Sequence, residues 1–308
     1  MQTILGSGGN IGSQLALELS KFTSEIRLVS RNPLKVNVND QIFQANLTAK
    51  DELFSAVKGS EIVYVTIAFE YKADIWEKLW VPFARNVVDA CKEYGSKLVF
   101  FDNIYMYDKN ELSNLTESSK ENPCSRKGRV RKQVADIITS AYSSGEIKGL
   151  IARAPDFLSP KNSILIETVY NNFLNGKKAV WLGDANKLHS FIYYIDAAKA
   201  TAILGNSDFA YNQIWHLPAN QSKMKVSEWI ELFANEMGTE NKYTTFAPYL
   251  FPLLGLFIPP VREIKELSYQ LDRDYYFNSE KFCSAFNYQP VHPSIAVKEI
   301  VELLKKGN

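Results

Sequence analysis

Glycine stands at positions 6, 9 and 12 of the run Gly6-Ser7-Gly8-Gly9-Asn10-Ile11-Gly12, giving the spacing G-x-x-G-x-x-G. A short apolar strand, Thr3 to Leu5, runs into it, and Ile11, Leu15, Leu19 and Phe22 leave it at helical spacing. A turn bare of side chains lets backbone amides approach a pyrophosphate, and the partial positive charge at the start of the following helix meets the anion. Gly12 allows that helix to close onto the strand. The predicted ligand is therefore a dinucleotide held by Gly6, Ser7, Gly8, Gly9, Asn10, Ile11 and Gly12. The end of the second strand indicates which dinucleotide. NAD-specific sites place an Asp or Glu there for the ribose 2′-hydroxyl, whereas this chain reads Leu28-Val29-Ser30-Arg31. A hydroxyl beside a guanidinium suits a 2′-phosphate through charge-assisted hydrogen bonds. Ser30 and Arg31 thus predict NADP(H) as the preferred cofactor, with NAD(H) possible.

These residues need strands and helices to position them, and the first half of the chain supplies the pattern. Apolar runs at Thr3 to Leu5, Ile26 to Val29, Gln41 to Ala45, Ile62 to Thr66, Leu98 to Phe101 and Leu150 to Ala152 read as buried parallel strands. Between them, Leu53, Phe54 and Val57, then Trp76, Trp80, Phe83, Val87, Ala90 and Tyr94, mark helices with one apolar stripe. A further helix carries Val130, Val134, Ile137, Ile138 and Ala141. Strands alternating with helices predict an α/β fold, a Rossmann doubly wound parallel sheet. Beyond Arg153 the pattern becomes irregular and rich in proline, which reads as a smaller, discontinuous C-terminal substrate lobe. The expected domains are 1–154 with 188–218 for the nucleotide and 155–187 with 219–308 for the substrate.

Composition narrows the function classes. With 308 residues, 46% of them hydrophobic, the chain can bury a large core. Its 35 Lys and Arg against 34 Asp and Glu leave no global field for nucleic acid or an anionic membrane, so a small-molecule substrate is the expected partner. Cys91, Cys124 and Cys283 are odd in number and lack C-x-x-C spacing, which predicts neither a disulfide framework nor a metal site and fits a reducing cytoplasm. The N-terminus lacks the basic stretch and apolar core of a signal peptide. The apolar run Tyr249 to Pro260 holds three prolines and is shorter than a membrane span, so it reads as a loop or helix over a pocket. Oligomeric state stays open.

Taken together, these features resemble the extended short-chain dehydrogenase/reductase superfamily, the NAD-dependent epimerase/dehydratase-like proteins, over nearly the whole chain. Asn46-Leu47 stands where that family has Asp-Leu near the adenine. Thr66-Ile67-Ala68 matches a small-residue segment beside the cofactor. Phe101-Asp102-Asn103-Ile104-Tyr105-Met106-Tyr107 resembles Ser-x-x-Val-Tyr-Gly, and Arg153-Ala154-Pro155-Asp156 resembles the Arg-x-x-Asn hinge. The resemblance implies that Asn46, Leu47, Thr66, Ile67, Ala68, Pro155 and Phe157 also line the cofactor.

The catalytic positions depart from the family pattern of Ser or Thr followed by Tyr-x-x-x-Lys. Asn103 stands at the Ser or Thr, and Gly128 replaces the Tyr, while Lys132 keeps the Lys. This is the pattern of an atypical subgroup with an eroded tetrad. Lys132 is then expected to hold the nicotinamide ribose. Tyr105, two residues from Asn103 and on its side if the chain stays extended, is the expected substitute phenol. Asn103 can orient a carbonyl but not protonate it. The run Arg126, Lys127, Arg129, Arg131 and Lys132 reads either as a solvated helix start or as a clamp for an anionic substrate. His189 and His216 have no partner at ligand spacing and read as structural or surface residues. The expected function is an NADP(H)-dependent oxidoreductase or epimerase acting on a small carbonyl or hydroxyl compound; the alternative is a cofactor-binding sensor without catalysis.

Overall fold

Continuous runs of Ile, Val, Leu and Phe can be buried on both faces, and in the computed structural model they form one parallel sheet. The structure describes residues 1–247 and 265–307, so the run from Tyr249 to Pro260 lies outside the described residues. In chain order the strands are β1 (Gln2–Leu5), β2 (Ile26–Ser30), β3 (Gln41–Gln44), β4 (Ile62–Val65), β5 (Lys97–Asp102), β6 (Gly149–Arg153), β7 (Asp156–Leu158), β8 (Ala179–Leu182), β9 (Phe191–Tyr193), β10 (Ile214–His216) and β11 (Tyr243–Phe246). The main sheet has the order β10-β6-β5-β4-β1-β2-β3. Every pairing in it is parallel, with Leu5 opposite both Val29 and Val65. The chain steps outward from β1 to β3 on one side and then returns to β4 on the other. A topological switch point therefore lies between β1 and β4, where open α/β sheets leave a crevice for ligands.

Strand alternation sends side chains to two layers. Leu5, Val29, Val63, Val65, Leu98 and Phe100 join one core cluster with Trp76, Trp80, Phe83 and Val87 of helix α3 (Ala73–Tyr94) and with Val130, Val134 and Ile138 of α4 (Arg126–Ser143). On the opposite face, Tyr64 accepts a hydrogen bond from Asn206, just past the helix Tyr194–Gly205. Helix α1 (Asn10–Leu19) buries Leu15, Ala16 and Leu19, and α2 (Lys50–Val57) buries Leu53, Ala56 and Val57. Among the described residues no helix is long and apolar enough to cross a membrane.

The chain divides into two compact units. The first is Met1–Met106, Arg126–Ala154 and Ile195–Leu217, and contains the whole main sheet. The second is Tyr107–Ser125, Pro155–Tyr194 and Pro218–Asn308. The division differs from the sequence expectation in three places, the smallest being the exit at Leu217 and not at 218. The chain re-enters the first unit at Ile195 and not at 188, because β9 pairs with β7 in a two-stranded sheet of the second unit. Residues 107–125 join the second unit, where Tyr107 bridges to Glu121 and Leu115 to Phe277.

Candidate functional site

The glycine turn sits at the carboxyl end of β1, beside the switch point. Gly6 takes φ 103°, and a Cβ there would lie 2.4 Å from the Ile67 amide nitrogen, so only glycine lets the chains after β1 and β4 come this close. A Cβ on Gly12 would lie 2.5 Å from the Gly6 carbonyl oxygen, which is the close helix–turn contact expected of the third glycine. Gly9 differs from both: a Cβ there would meet nothing within 4 Å. It is the N-cap of α1, with no side-chain cap and no acidic residue in the first turn. Beside this opening, Ser7 Oγ and Ser30 Oγ are buried without a hydrogen-bond partner among the described residues. Orphaned hydroxyls at an uncapped helix N-terminus fit a polar, anionic group supplied from outside the chain.

The neighbouring strand ends extend this site along the sheet edge. Thr66 Oγ1 donates to the Gly6 carbonyl at 3.2 Å, tying β4 to the turn, and Ile67 and Ala68 follow it. At the ends of β2 and β3, Arg31, Gln44, Ala45, Asn46 and Glu52 line an open cavity of about 350 Å³. Arg31 is exposed there, while Glu52 accepts a hydrogen bond from the Asn46 amide at 2.7 Å. Leu47 is buried in the sheet core, so its side chain packs the floor beneath this edge.

Two strands away, the end of β5 is organised around a buried charge cluster. Asp102 Oδ1 accepts from Arg131 Nε at 2.7 Å and from the Asn103 amide at 2.8 Å, and Arg131 Nη2 donates to the same oxygen. Arg153 Nε lies 3.7 Å from Asp102 Oδ2, and all three side chains are almost fully buried. Arg131 also packs over Trp80 and Phe100. After Asp102 the chain turns, so the extended geometry assumed for Asn103 and Tyr105 does not occur: Asn103 Oδ1 accepts the Tyr105 amide at 3.0 Å. That turn carries the Tyr105 ring onto Trp76, stacked at 6.1 Å, and brings its hydroxyl within 3.3 Å of the Tyr71 hydroxyl. Lys127 Nζ lies 4.5 Å from the centroid of the Tyr71 ring and is completely buried.

The basic run of α4 is therefore neither uniformly solvated nor a single clamp. Arg126 binds Asp74 and Glu77 of α3, holding the Glu77 carboxyl below its usual range through a hydrogen bond. Lys127 and Arg131, four residues apart, face the core. Lys132 turns outward and pairs with Asp136 at 2.9 Å. Gly128 is buried. Tyr71 lies in no motif and so left no signal in the sequence, while Lys127 stood out only as part of a basic run, its charge hiding its place on the buried face of α4.

Pro155 and Phe157 belong to the second unit. There His189 Nε2 lies 2.8 Å from Asp156 Oδ2, its ring buried among Trp181, Phe191 and Tyr275. This partner, 33 residues away in sequence, was invisible to local spacing. His216 is buried in β10. Burial pushes the Cys91 thiol up to about 12, which leaves it a packing residue. Among the described residues no group of three or more His, Cys, Asp or Glu could hold a metal ion.

The parallel order, the switch point and the glycine turn define a Rossmann fold of the short-chain dehydrogenase/reductase type. The chain belongs to the NAD dependent epimerase/dehydratase family, whose model matches residues 3–214. No curated protein matches it in sequence. Among solved structures it is similar to a double mutant of dTDP-glucose 4,6-dehydratase from Streptomyces venezuelae with NAD bound, at 13% identity and TM-score 0.80, covering 99% of this chain and 97% of that one. It is similar also to UDP-glucuronic acid 4-epimerase from Bacillus cereus in complex with UDP-glucuronic acid and NAD, at 14% identity and TM-score 0.80, covering 100% of both chains. A UDP-galactose 4-epimerase gives 15% identity and TM-score 0.77, with 100% of this chain and 99% of that one covered. At these identities the likeness shows the fold.

Proposed function

We propose that the chain is an NADP(H)-dependent oxidoreductase or epimerase-like enzyme acting on a small carbonyl or hydroxyl compound. The observation that carries this reading is the cradle at β1. Gly6 and Gly12 cannot accept a Cβ, Gly9 opens outward, and the buried Ser7 and Ser30 hydroxyls have no hydrogen-bond partner among the described residues. The family membership and the two similar structures with bound NAD support a nicotinamide dinucleotide as the missing partner. Preference for NADP(H) rests on Arg31, an exposed cation in the lining of the cavity beside Ser30. The carboxylate in that lining, Glu52, is turned onto the Asn46 amide. When bound, the nicotinamide supplies or accepts a hydride.

The chain's own residues would divide the remaining work along the β5 edge. Asn103 spends its Oδ1 on the Tyr105 amide, leaving its Nδ2 hydrogens to orient a carbonyl. Tyr105 exchanges a proton with the substrate oxygen. Lys132 holds the nicotinamide ribose, exchanging its exposed pairing with Asp136 for the cofactor; such surface pairs contribute only about 0.3–0.5 kcal/mol.

Two substitutions test this division. Arg31→Ala is expected to weaken NADPH binding about tenfold, the loss of one charge-assisted contact, and to leave NADH binding nearly unchanged. Equal weakening of both by fluorescence titration would remove Arg31 from the 2′-phosphate role. Screening the protein with NADPH against aldehydes, ketones and nucleotide sugars should reveal cofactor-consuming turnover. Lys132→Ala should lower it strongly, and full activity in that variant would end the role given to Lys132.

A second reading has one observation in its favour. Gly128 leaves α4 without the phenol that the family pattern places there. If NADPH binds and no compound in the panel turns over, the chain is a cofactor-binding sensor.

A further inference from the structure

The Tyr71, Tyr105 and Lys127 cluster has chemistry that the proposed activity does not yet use. Lys127 is fully inaccessible, and its ammonium lies against the face of the Tyr71 ring, where a cation is attracted by the ring's quadrupole. The hydroxyl of that ring reaches the Tyr105 hydroxyl. Three separate segments converge to make this contact: the loop between β4 and α3 brings Tyr71, the turn after β5 brings Tyr105, and the start of α4 brings Lys127. Further contacts hold each segment in place. Trp76 stacks on Tyr105 and packs edge-on against Tyr71, Asp102 and Asn103 set the β5 turn, and Arg126 ties the first turn of α4 to Asp74 and Glu77.

We propose that Lys127 and Tyr71 are positioning residues for Tyr105. Together the three form a proton-transfer group moved from α4 to the β5 edge, in place of the tyrosine missing at Gly128. The proposal rests on the reading of Tyr105 as the substrate-facing phenol. In the direction of reduction, a bound reduced nicotinamide would supply the hydride, with its two electrons, that the carbonyl carbon takes up. The Tyr105 O–H bond breaks and a new O–H bond forms on the substrate oxygen. The Tyr71 hydroxyl donates a hydrogen bond to the resulting Tyr105 phenolate and then passes it a proton drawn from solvent. The Lys127 ammonium, on the Tyr71 ring face, strengthens Tyr71 as that donor, since a nearby cation favours negative charge on a phenol. A purely structural Lys127 would fill space and leave the reactivity of both phenols unchanged.

The test compares labelling of the cofactor-free protein by an arylsulfonyl fluoride, which reacts with tyrosine oxygen through the phenolate, with steady-state kinetics. Tyr71 and Tyr243 are equally exposed, each at 37%, so Tyr243 is an internal reference. The expected result is Tyr71 labelling several-fold faster than Tyr243 in the unmodified chain. Lys127→Met should slow Tyr71 to the reference rate, and Lys127→Arg should restore most of the difference. In turnover, Lys127→Met and Tyr71→Phe should each lower kcat about tenfold with KM little changed, and Tyr105→Phe about a hundredfold. Equal labelling of Tyr71 and Tyr243 in the unmodified chain overturns the proposal without any variant having to fold. So does a Tyr71 rate unaltered by Lys127→Met in a variant with native thermal unfolding. Full activity in Tyr105→Phe, by contrast, overturns the reading of Tyr105 itself.

Discussion

Gly6→Ala is expected to abolish measurable NADPH binding and to destabilise the chain by roughly 2–5 kcal/mol, the sum of left-handed backbone strain and overpacking. At φ 103° an alanine Cβ would stand 2.4 Å from the Ile67 amide nitrogen and 2.5 Å from its Cα. These are backbone atoms of the strand end across the switch point, so no rotamer change relieves the overlap; β1 and β4 must separate. Gly9→Asp makes the complementary case. Gly9 has φ −93° and ψ 169° at the N-cap of α1, and its Cβ would enter open space. Aspartate is a favoured N-cap residue and glycine falls only slightly short of it, so stability should hold or rise by about 0.3 kcal/mol. Its carboxylate would nevertheless occupy the place meant for a pyrophosphate and repel it. A separation near 4 Å in a partly wet site corresponds to about 4 kcal/mol, so NADPH affinity should fall a hundredfold or more. A Gly9→Asp protein that binds NADPH normally would show that the phosphate lies elsewhere.

The second large effect is at Asp102, whose carboxylate pairs with Arg131 and lies 3.7 Å from Arg153. Asp102→Ala should cost about 3–5 kcal/mol, because it strands buried guanidinium charge. Against a typical total stability of about 5–15 kcal/mol, this leaves the domain close to unfolding at moderate temperature. Adding Arg131→Met to Asp102→Ala should recover part of the loss, since a side chain of similar volume then replaces one stranded cation. Urea unfolding of the single and double variants measures both quantities. A loss below about 1 kcal/mol for Asp102→Ala, within the range of an ordinary surface pair, would contradict the account of a buried cluster. The same carboxylate receives the Asn103 amide, so any folded Asp102 variant should also show lower kcat through a loosened turn at Tyr105.

Much of the first unit could be read from residue order. The central strands between Gln2–Leu5 and Gly149–Arg153 were legible because parallel strands buried on both faces need apolar runs, whereas β3, Gln-Ile-Phe-Gln at the sheet edge, is mostly exposed. The turn from Gly6 to Gly12 was legible because close backbone approach admits only glycine. Less visible was the interior of α4. A helix stripe is normally traced through its apolar residues, and Val130, Val134, Ile138 and Ala141 trace it correctly. Lys127 and Arg131 share that stripe but carry charge, and only the position of Asp102 and the Tyr71 ring explains their burial. The pairing of His189 with Asp156 was hidden for the same reason, since long-range partners leave no local spacing. The second unit was harder still. Its strand pairs β7 with β9 and β8 with β11 are short and joined by irregular segments, which give weak periodicity.

What occupies the turn at Gly6 to Gly12 decides the function of the whole chain. Titrating the unmodified protein with NADPH and with NADH, following nicotinamide fluorescence, tests this without knowledge of the substrate. The predicted result is saturable binding of both, with NADPH at least about tenfold tighter, equivalent to 1.4 kcal/mol from the 2′-phosphate at Arg31 and Ser30. Absence of saturation by either nucleotide at millimolar concentration would contradict the account at its foundation.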